Sequence, residues 1–425
     1  MSSKKALDFL ERHGMSPEGI DPAICAEKMR SSLERGLERH GEHVPMIATY
    51  LSNDGLVPLD TPAIVIDAGG TNYRRALVSF TAEGAKVEEL ERMPMPGIKE
   101  PVTWDEFICF VADSIMPIID RADKIGFCFS YTADITPEID GRVISIDKEV
   151  VVKDCQGKLV GASLVAELER RGKSGKRVVI LNDTVAVLLG GSAVLDKGLY
   201  SGFIGQVSGT GTNTCCSLPM KRITKLERNE DTGILVNLES GLYDGMPQGD
   251  FDLELDRQSN HPGSKLFEKM TAGVYLGELC RIMLRGAAEE GLLTQAGSEK
   301  VMELGRIDSA VIDAWAMGEN LSQISGDEED ADFVQTLSLA LFERSARCMC
   351  TNLLAIMQLT GEGTDPARPV CVCAEGSLVQ KSRCYRPMLE RFINEYAAKK
   401  CGHYAVIKVG YETTLPGSAA AALLN

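Results

Sequence analysis

The first candidate for chemistry is a stretch in which a buried-strand pattern ends on an acid and two glycines. Asp67 follows three β-branched residues, Gly69 and Gly70 come next, and Arg74 lies soon after them. Without a Cβ, the glycines let backbone N–H groups approach a phosphate closely. A carboxylate at a strand end can hold a divalent cation directly or through water. The stretch therefore predicts a phosphate-binding hairpin, and the alternative is a tight turn that carries a solvated aspartate.

A second glycine-rich turn, residues 208–213, lies between the predicted strands 201–206 and 214–218. The chain thus contains the strand–glycine–strand pattern twice, around Gly69 and around Gly209. This repetition predicts two similar halves that hold one nucleotide between them. Coincidence is the alternative, because glycine-rich hairpins are common.

Polar residues also follow two other predicted strands. Ser130 ends the apolar run 124–130, and Asn182 and Asp183 follow the run 177–181. A helix is predicted directly after them, with Asp183 as its N-cap. Strands that alternate with helices, with polar residues where the strands end, predict an α/β sheet with a ligand crevice at that edge.

The remaining periodicity predicts the other elements. Helices are expected from residue 1 to about residue 40 with a break at 14–21, and over 103–120, 159–170, most of 263–360, 383–400 and 416–424. Strands are expected over 62–67, 73–80, 84–91, 142–146, 233–238, 369–374 and 404–409, the first three as an antiparallel meander. The run 44–51 is expected to be an extended connector that leads into this meander.

The composition is that of an ordinary globular protein, and it excludes several classes of function. The chain has 425 residues, 44% hydrophobic and 25% charged, which predicts two domains. Its formal net charge of −16 argues against nucleic acid and anionic membranes as partners. No apolar stretch has membrane-spanning length, and Asp8, Glu11 and Arg12 interrupt any signal-peptide core, so the cytoplasm is the expected compartment. The 13 cysteines and five histidines are scattered, which predicts buried reduced thiols and no Cys/His metal site.

Seven motifs occur in one order along the chain, and on them it resembles the eukaryotic-type hexokinase family of the larger actin-like ATPase group. They are Val-Pro-Met at 44–46, Asp-Ala-Gly-Gly-Thr-Asn at 67–72, Leu-Asn-Asp-Thr-Val at 181–185, Gly-Thr-Gly-Thr-Asn at 209–213, Asn-Leu-Glu-x-Gly at 237–241, Phe-Glu-Lys-Met at 267–270 and Glu-Gly-Ser at 375–377. The resemblance implies an α/β, two-domain actin-like (ribonuclease-H-like) fold with a ligand cleft between the domains. A small domain would span 58–181 plus 413–425, and a large domain 1–57 plus 182–412.

The resemblance also implies the reaction and the residues that serve it. The γ-phosphoryl group of ATP, with Mg²⁺, would pass to the 6-hydroxyl of a hexose, with glucose as the expected sugar, in the entry step of glycolysis. Asp183 would take the hydroxyl proton, Arg74 would stabilise the transferred phosphoryl group, and Lys148 would be the third catalytic residue. The residues implied in sugar binding are Ser130, Asp147, Lys148, Asn182, Asp183, Asn213, Glu239 and Glu268. Those implied in ATP binding are Asp67, which would also hold Mg²⁺ through water, Gly69, Gly70, Thr71, Asn72, Gly209, Thr210, Gly211, Thr212, Gly273, Gly376 and Ser377.

Three departures from the family's usual residues lie near the expected sugar site. Asp147 stands where the family has a threonine, Ser240 where it has an aromatic residue, and Tyr131-Thr132 where it has an aromatic residue and a proline. These differences leave the preferred hexose open rather than the type of reaction.

Two alternative functions remain open. One is a catalytically silent sugar sensor on the same fold, which the intact set of Asp67, Arg74 and Asp183 argues against. The other is an actin-like or chaperone-like ATPase without a sugar, which would share the phosphate hairpins but would lack Glu239, Glu268 and the Asn182-Asp183 pair.

Overall fold

The structure is a computed structural model that describes residues 3–52, 54–70, 72–146 and 150–425. Three of the residues singled out above, Thr71, Asp147 and Lys148, lie outside the described residues.

Strands and helices alternate along most of the described chain. The strands are β1 (Ile47–Ala48), β2 (Ala63–Gly69), β3 (Asn72–Thr81), β4 (Gly84–Pro94), β5 (Val102–Thr103), β6 (Lys124–Phe129), β7 (Thr132–Ile135), β8 (Gly141–Ser145), β9 (Val152–Lys153), β10 (Arg177–Leu181), β11 (Phe203–Ser208), β12 (Thr212–Pro219), β13 (Gly233–Asn237), β14 (Val370–Glu375) and β15 (Ala405–Val409). The α-helices are α1 (Lys4–Arg12), α2 (Pro22–Glu38), α3 (Trp104–Ile115), α4 (Val160–Arg170), α5 (Asp183–Ala193), α6 (Asp250–Gln258), α7 (Leu266–Thr271), α8 (Gly273–Glu289), α9 (Gln295–Glu303), α10 (Ser309–Ala316), α11 (Glu328–Thr360), α12 (Ser377–Lys381), α13 (Tyr385–Phe392) and α14 (Thr414–Leu424). A π-helix, Ile393–Lys400, continues α13.

The smaller sheet has the strand order β10-β6-β2-β3-β4. β2, β3 and β4 form the predicted antiparallel meander, whereas β2, β6 and β10 run parallel. One face packs on α3 and α4, where Phe107 and Leu164 lie buried with Ile64 and Phe127. Because parallel strands end at the same edge of a sheet, the residues after β2, β6 and β10 meet there.

The larger sheet has the strand order β1-β13-β12-β11-β14-β15. β11 and β12 pair antiparallel across the second glycine-rich turn, and β14 runs parallel to β11. One face of this sheet packs on α11, a helix of 33 residues that is mostly buried. The carboxyl ends of β11 and β14 therefore meet at one edge, as do those of the smaller sheet.

Two helices, α5 and α14, pack on each other between the sheets, α14 against the smaller sheet and α5 mainly against the larger. Their buried side chains share one core with Val65 of the smaller sheet and Cys215 and Cys373 of the larger. The helices approach closely, because a Cβ at Gly417 would lie 1.8 Å from the carbonyl oxygen of Ala186. α5 begins at the edge of the smaller sheet, so its first residues stand between the two sheet edges that carry the glycine-rich turns.

Most of the predicted elements are confirmed. The meander, both glycine-rich turns, the strand over 177–181 and the helical region between 263 and 360 are present. The segment 44–51 contributes β1, which pairs with β13. The sequence pattern did not predict the short strands β5, β7 and β9 or helix α6. All 13 cysteines are free thiols, most of them buried. In the described chain, none of the helices is long and apolar enough to cross a membrane.

Candidate active site

The carboxyl ends of β2, β6 and β10 bring together residues that are far apart in sequence. Asp67 and Leu181 both pair with Cys128, so the three strands end level with one another. Ser130 follows β6, and its backbone N–H donates to the Ala68 carbonyl over 3.1 Å. These pairings place Asp67, Ser130 and the start of α5 at a single edge of the sheet.

The prediction that Asp183 caps α5 is wrong. The cap is Asn182, whose Oδ1 accepts the backbone N–H of Thr184 over 2.9 Å, and Asp183 is the first helical residue. Both side chains can cap a helix, so the local sequence did not distinguish them. Asp183 Oδ1 accepts only from the Thr184 hydroxyl among the described contacts, over 3.1 Å, and its side chain is partly exposed. The Asp183 carboxylate therefore does not cap the helix and can contact a ligand.

Asp67 and Arg74 face each other across the β2–β3 hairpin and form an ion pair. Arg74 Nε donates to Asp67 Oδ2 over 2.9 Å, and Nη2 donates to the same oxygen and, over 2.9 Å, to the Thr414 hydroxyl. Asp67 is 7% exposed, and this burial raises the pKa of its carboxyl group, although Arg74 opposes the shift. The charge of Asp183 raises this pKa further, so Asp183 lies within electrostatic reach of Asp67.

A second polar cluster lies where β12 begins and the antiparallel β13 ends. Asn213 Nδ2 donates to Asn237 Oδ1 over 2.8 Å and to Glu239 Oε1 over 3.3 Å, and Asn237 Nδ2 donates to Glu239 Oε1 over 2.7 Å. Glu239 has a φ of 57°, a left-handed conformation that costs energy for a residue with a Cβ and is concentrated at functional sites. Glu268, in α7, accepts the backbone N–H of Thr212 over 3.2 Å. Asn213, Glu239 and Glu268 are thus neighbours.

The carboxylates of the two clusters interact. Burial raises the pKa of Glu239, and Asn237 opposes the shift by donating to the charged form. The charges of Asp183 and Glu268 raise the same pKa further. Asp183 is therefore close enough to both Asp67 and Glu239 to act on their pKa values, which links the clusters at the ends of the two sheets.

The second glycine-rich turn lies beside the loop that follows β14. The Gly209 carbonyl accepts the backbone N–H of Gly273 over 2.8 Å, and a Cβ at Gly209 would lie 3.2 Å from the backbone nitrogen of Ser377. Gly376 has a φ of +119°, and a Cβ there would lie 2.3 Å from the Ser208 carbonyl oxygen. Glycine is required at 376 for both reasons. Gly209, Gly273, Gly376 and Ser377 thus form one patch, in which Gly209 and Gly273 are buried, Gly376 is half-buried and Ser377 is exposed.

The tips of the two turns carry the other predicted ATP-binding residues. Gly70, with a φ of +59°, and Thr210 lie at the tips, and Asn72 begins β3 opposite Gly69. Gly211 leads into β12, and Thr212 is buried at its start.

Three positions depart from the family pattern and were expected near the sugar. At two of them, Ser240 and Tyr131-Thr132, the described hydrogen bonds are made to other parts of the protein. Ser240 is fully buried and accepts from the Thr214 hydroxyl over 3.1 Å, and that hydroxyl accepts from Asn352 Nδ2 over 3.0 Å. Its side chain therefore belongs to the interior beneath the site. Tyr131 is buried and donates its hydroxyl to the Gly70 carbonyl over 3.1 Å, and Thr132 begins β7. The third departure, Asp147, lies outside the described residues.

Sequence reasoning missed three residues that contact the predicted site. Asn237 connects Asn213 to Glu239, and its place two residues before Glu239, at the end of β13, could have indicated it. Thr414 and Glu412 contact Arg74, with Glu412 Oε1 3.5 Å from Arg74 Nη1. No local signal points to these two, because more than 330 residues separate them from Arg74.

The site can supply oxygen ligands to a cation, but not a closed metal-binding cage. Among the residues that the structure describes, no three His, Cys, Asp or Glu side chains gather as a metal-binding group. A hard cation that uses one carboxylate, water and phosphate oxygens fits the buried Asp67 beside the first glycine-rich turn.

Comparisons with known proteins agree with this arrangement. Two sequence families, both described as hexokinase, match residues 13–193 and 203–424. Hexokinase-7 of Oryza sativa subsp. japonica is 24% identical, over 95% of this chain and 92% of its own length. Hexokinase-4, chloroplastic, of the same plant is 27% identical, over 94% of this chain and 84% of its own length. The structure of a Schistosoma mansoni hexokinase in complex with glucose is similar over the whole of both chains, with a TM-score of 0.79 at 19% identity.

The family matches cover both sheets and both glycine-rich turns. The fold is that of the actin-like ATPases, as in hexokinases and related sugar kinases. We conclude that this chain is a kinase that belongs to the hexokinase family, whose members phosphorylate hexoses with ATP.

Proposed function

We propose that this protein transfers the γ-phosphoryl group of ATP to the 6-hydroxyl of glucose or a closely related hexose. The observation that carries the proposal is the position of Asp183. Its charge acts on Asp67, in the phosphate hairpin, and on Glu239, in the cluster of hydrogen-bonding side chains. A base that serves this reaction must reach the acceptor hydroxyl while that hydroxyl faces the γ-phosphate, and these two interactions support Asp183 for that role.

Asp183 is proposed as the general base. The 6-hydroxyl oxygen attacks the γ-phosphorus, the bond from that phosphorus to the ADP oxygen breaks, and the hydroxyl proton passes to the Asp183 carboxylate. Arg74 is proposed to stabilise the negative charge on the phosphoryl group during transfer. Lys148 is proposed as a further catalytic residue on the basis of the family resemblance. Phosphoryl transfer depends on alignment and charge stabilisation more than on covalent chemistry, which suits a site of this composition.

The proposed sugar site consists of carboxylates, amides and a hydroxyl. Each ring hydroxyl of a hexose can donate to a carboxylate and accept from an amide. Glu239 uses Oε1 for Asn213 and Asn237, which fixes the orientation of its carboxylate toward the ligand. The full proposed set is Ser130, Asp147, Lys148, Asn182, Asp183, Asn213, Glu239 and Glu268.

The proposed nucleotide site consists of the two glycine-rich turns and the patch formed by Gly209, Gly273, Gly376 and Ser377. Backbone N–H groups of these turns that have no partner within the protein can bind phosphate oxygens without any positive side chain, whereas those of Gly209 and Gly273 are donated to the Gly211 and Gly209 carbonyls. Asp67 is proposed to hold Mg²⁺ through water, and the ion would neutralise charge on the ATP phosphates. Burial and the ion pair with Arg74 keep Asp67 in place for this role.

We further propose that the two sheets belong to two domains, 58–181 plus 413–425 and 1–57 plus 182–412, that close on the sugar. A ligand that contacts both domains binds the closed form better and shifts the population toward it. Closure would exclude water from Asp183, so that the sugar rather than water receives the phosphoryl group. The cytoplasm is the proposed compartment, and cell fractionation tests it.

The proposal is tested by a coupled assay for ADP release across a panel of hexoses, with the product identified by ³¹P magnetic resonance. We expect turnover with glucose or a related hexose, a hexose 6-phosphate as product, and slow ATP hydrolysis without sugar. Hexose binding without turnover would instead establish a silent sensor. ATP hydrolysis that no hexose accelerates would contradict the sugar site itself.

A further inference from the structure

A charged lysine, Lys269, directly follows the proposed sugar ligand Glu268 and is buried. Its side chain is 3% exposed. The Nζ atom donates to Asp256 Oδ1 over 2.5 Å and to the His261 carbonyl over 2.8 Å. A buried ammonium group is costly unless it is paired in this way, so these two contacts fix where the Lys269 side chain lies.

Asp256 holds the same loop at a second point. It belongs to the last turn of α6, and both of its carboxylate oxygens accept the backbone N–H of Gly263, over 3.0 and 2.9 Å. Burial would raise the pKa of Asp256, but the hydrogen bonds from Lys269 and Gly263 outweigh it and lower the pKa below its ordinary value. The carboxylate is therefore charged at neutral pH and ties the exposed loop 260–263 to the buried lysine.

The loop between Asp256 and Lys269 leads directly into the helix that carries Glu268. This helix, α7, has six residues, so contacts outside the helix must determine its position. Successive side chains of an α-helix are about 100° apart around its axis. Fixing the Lys269 side chain therefore fixes the rotation of α7, and with it the direction in which Glu268 extends.

The contacts of the Glu268 carboxylate itself constrain it less. The Thr212 N–H donates to Oε2 over 3.2 Å, at the long end of the usual range. Lys265 Nζ lies 3.9 Å from Oε1, but the lysine side chain is half-exposed, and an ion pair at the surface holds its partner weakly.

We propose that Asp256 and Lys269 are positioning residues, which set the direction of the Glu268 carboxylate in the sugar site without touching the sugar. The inference rests on the proposed function and adds to it the ion pair that supports one of the sugar ligands. The alternative is that this ion pair serves stability alone.

The same helix, α6, carries a matched control for that alternative. Asp252 accepts from Arg344 Nη1 over 3.1 Å and from Nη2 over 2.6 Å, and the two side chains are 1% and 3% exposed. Arg344 belongs to α11 and not to the segment that carries Glu268. Removing one partner of a buried ion pair leaves the other charge uncompensated, so Asp252→Asn and Asp256→Asn should both lower stability.

The test combines urea unfolding with isothermal titration of glucose and of a non-hydrolysable ATP analogue. We expect Asp256→Asn to raise the dissociation constant for glucose about tenfold, the effect of losing one hydrogen bond to a charged group, and to change that of the ATP analogue less than about threefold. Asp252→Asn should lower the urea midpoint as well and leave both affinities within about twofold of the wild type. The double variant Asp256→Asn/Lys269→Met removes both charges, so we expect it to regain stability but not glucose affinity.

The outcomes separate a positioning role from a structural one. Glucose affinity that recovers together with stability in the double variant would overturn the inference and leave the sugar site standing. An equal loss of glucose affinity in Asp252→Asn would overturn it too, because affinity would then follow stability alone. The double variant has no unpaired charge and carries the test by itself if Asp256→Asn does not fold. If the wild-type protein binds no hexose, the proposed sugar site is wrong and the inference falls with it.

Discussion

Asn237→Ala should weaken sugar binding although Asn237 is not proposed to touch the sugar. The side chain accepts from Asn213 over 2.8 Å and donates to Glu239 over 2.7 Å, so one substitution removes two hydrogen bonds. Glu239 Oε1 would keep only the 3.3 Å contact with Asn213. Hydrogen bonds that involve a charged group contribute about 1.5–3 kcal/mol, and neutral ones about 1 kcal/mol.

Part of this lost free energy lowers the stability of the fold, and part lowers the affinity for the sugar. The loss is smaller than the sum of the two hydrogen bonds, because water can hydrate Glu239 in the protein without sugar. We expect the dissociation constant for glucose to rise about 10- to 100-fold, which corresponds to about 1.4–2.7 kcal/mol. The affinity for a non-hydrolysable ATP analogue should change less than about threefold, because Asn237 lies in the sugar-side cluster. Isothermal titration with each ligand separately measures both values. Asn394→Ala, at an exposed position in the π-helix, is the matched control.

Two results would refute the reasoning. If Asn237→Ala binds glucose as the wild type does, the two hydrogen bonds do not orient the sugar site. If the variant loses the nucleotide and keeps the sugar, the cluster serves a different ligand from the one proposed.

Three other predictions concern stability, a charge beside Arg74, and closure. Burial raises the pKa of Glu362 to about 7, above the value near 4.5 of an exposed glutamate, so the native state loses stability as the pH rises through that interval. Glu362→Gln should therefore match the wild type near pH 5 and exceed it by up to about 3 kcal/mol near pH 8 in urea unfolding, whereas equal stability at both pH values would show that the carboxyl group is not buried. Glu412 pairs with Arg92 and lies 3.5 Å from Arg74, so Glu412→Gln should lower kcat about two- to fivefold with little change in sugar affinity. Arg92→Gln, which removes the pair without touching Arg74, should have a smaller effect, and the same loss in both variants would exclude a role for Glu412 at Arg74. Saturating glucose should reduce the radius of gyration in solution scattering, and superimposable curves with and without it would contradict sugar-driven closure.

The elements of this fold were predictable where the signal is local. The β2–β3 hairpin and the strand 177–181 follow from runs of apolar β-branched residues bounded by glycine or polar residues, and the structure has them at nearly the predicted bounds. The cap of α5 was not predictable, because Asn182 and Asp183 are both good capping residues and only the backbone geometry decides between them.

The long-range contacts of the site could not be read from the sequence. Arg74 contacts Thr414 because α14 packs on the smaller sheet, and Glu268 contacts Thr212 because α7 packs beside β12. Ser240 shows the same limit in another way. Its position after Glu239 suggested contact with the sugar, but the left-handed backbone at Glu239 is followed by a turn that directs the serine into the interior, toward Thr214.

The measurement that tests the central claim most directly is the turnover of Asp183→Asn. Asn182 caps α5, so this substitution should preserve the fold, and glucose affinity should stay within a fewfold of the wild type. We expect kcat for glucose phosphorylation to fall about 10²- to 10⁴-fold, the usual contribution of a positioned base. Turnover close to that of the wild type, by a variant that binds glucose and ATP normally, would remove Asp183 from the mechanism and contradict the account.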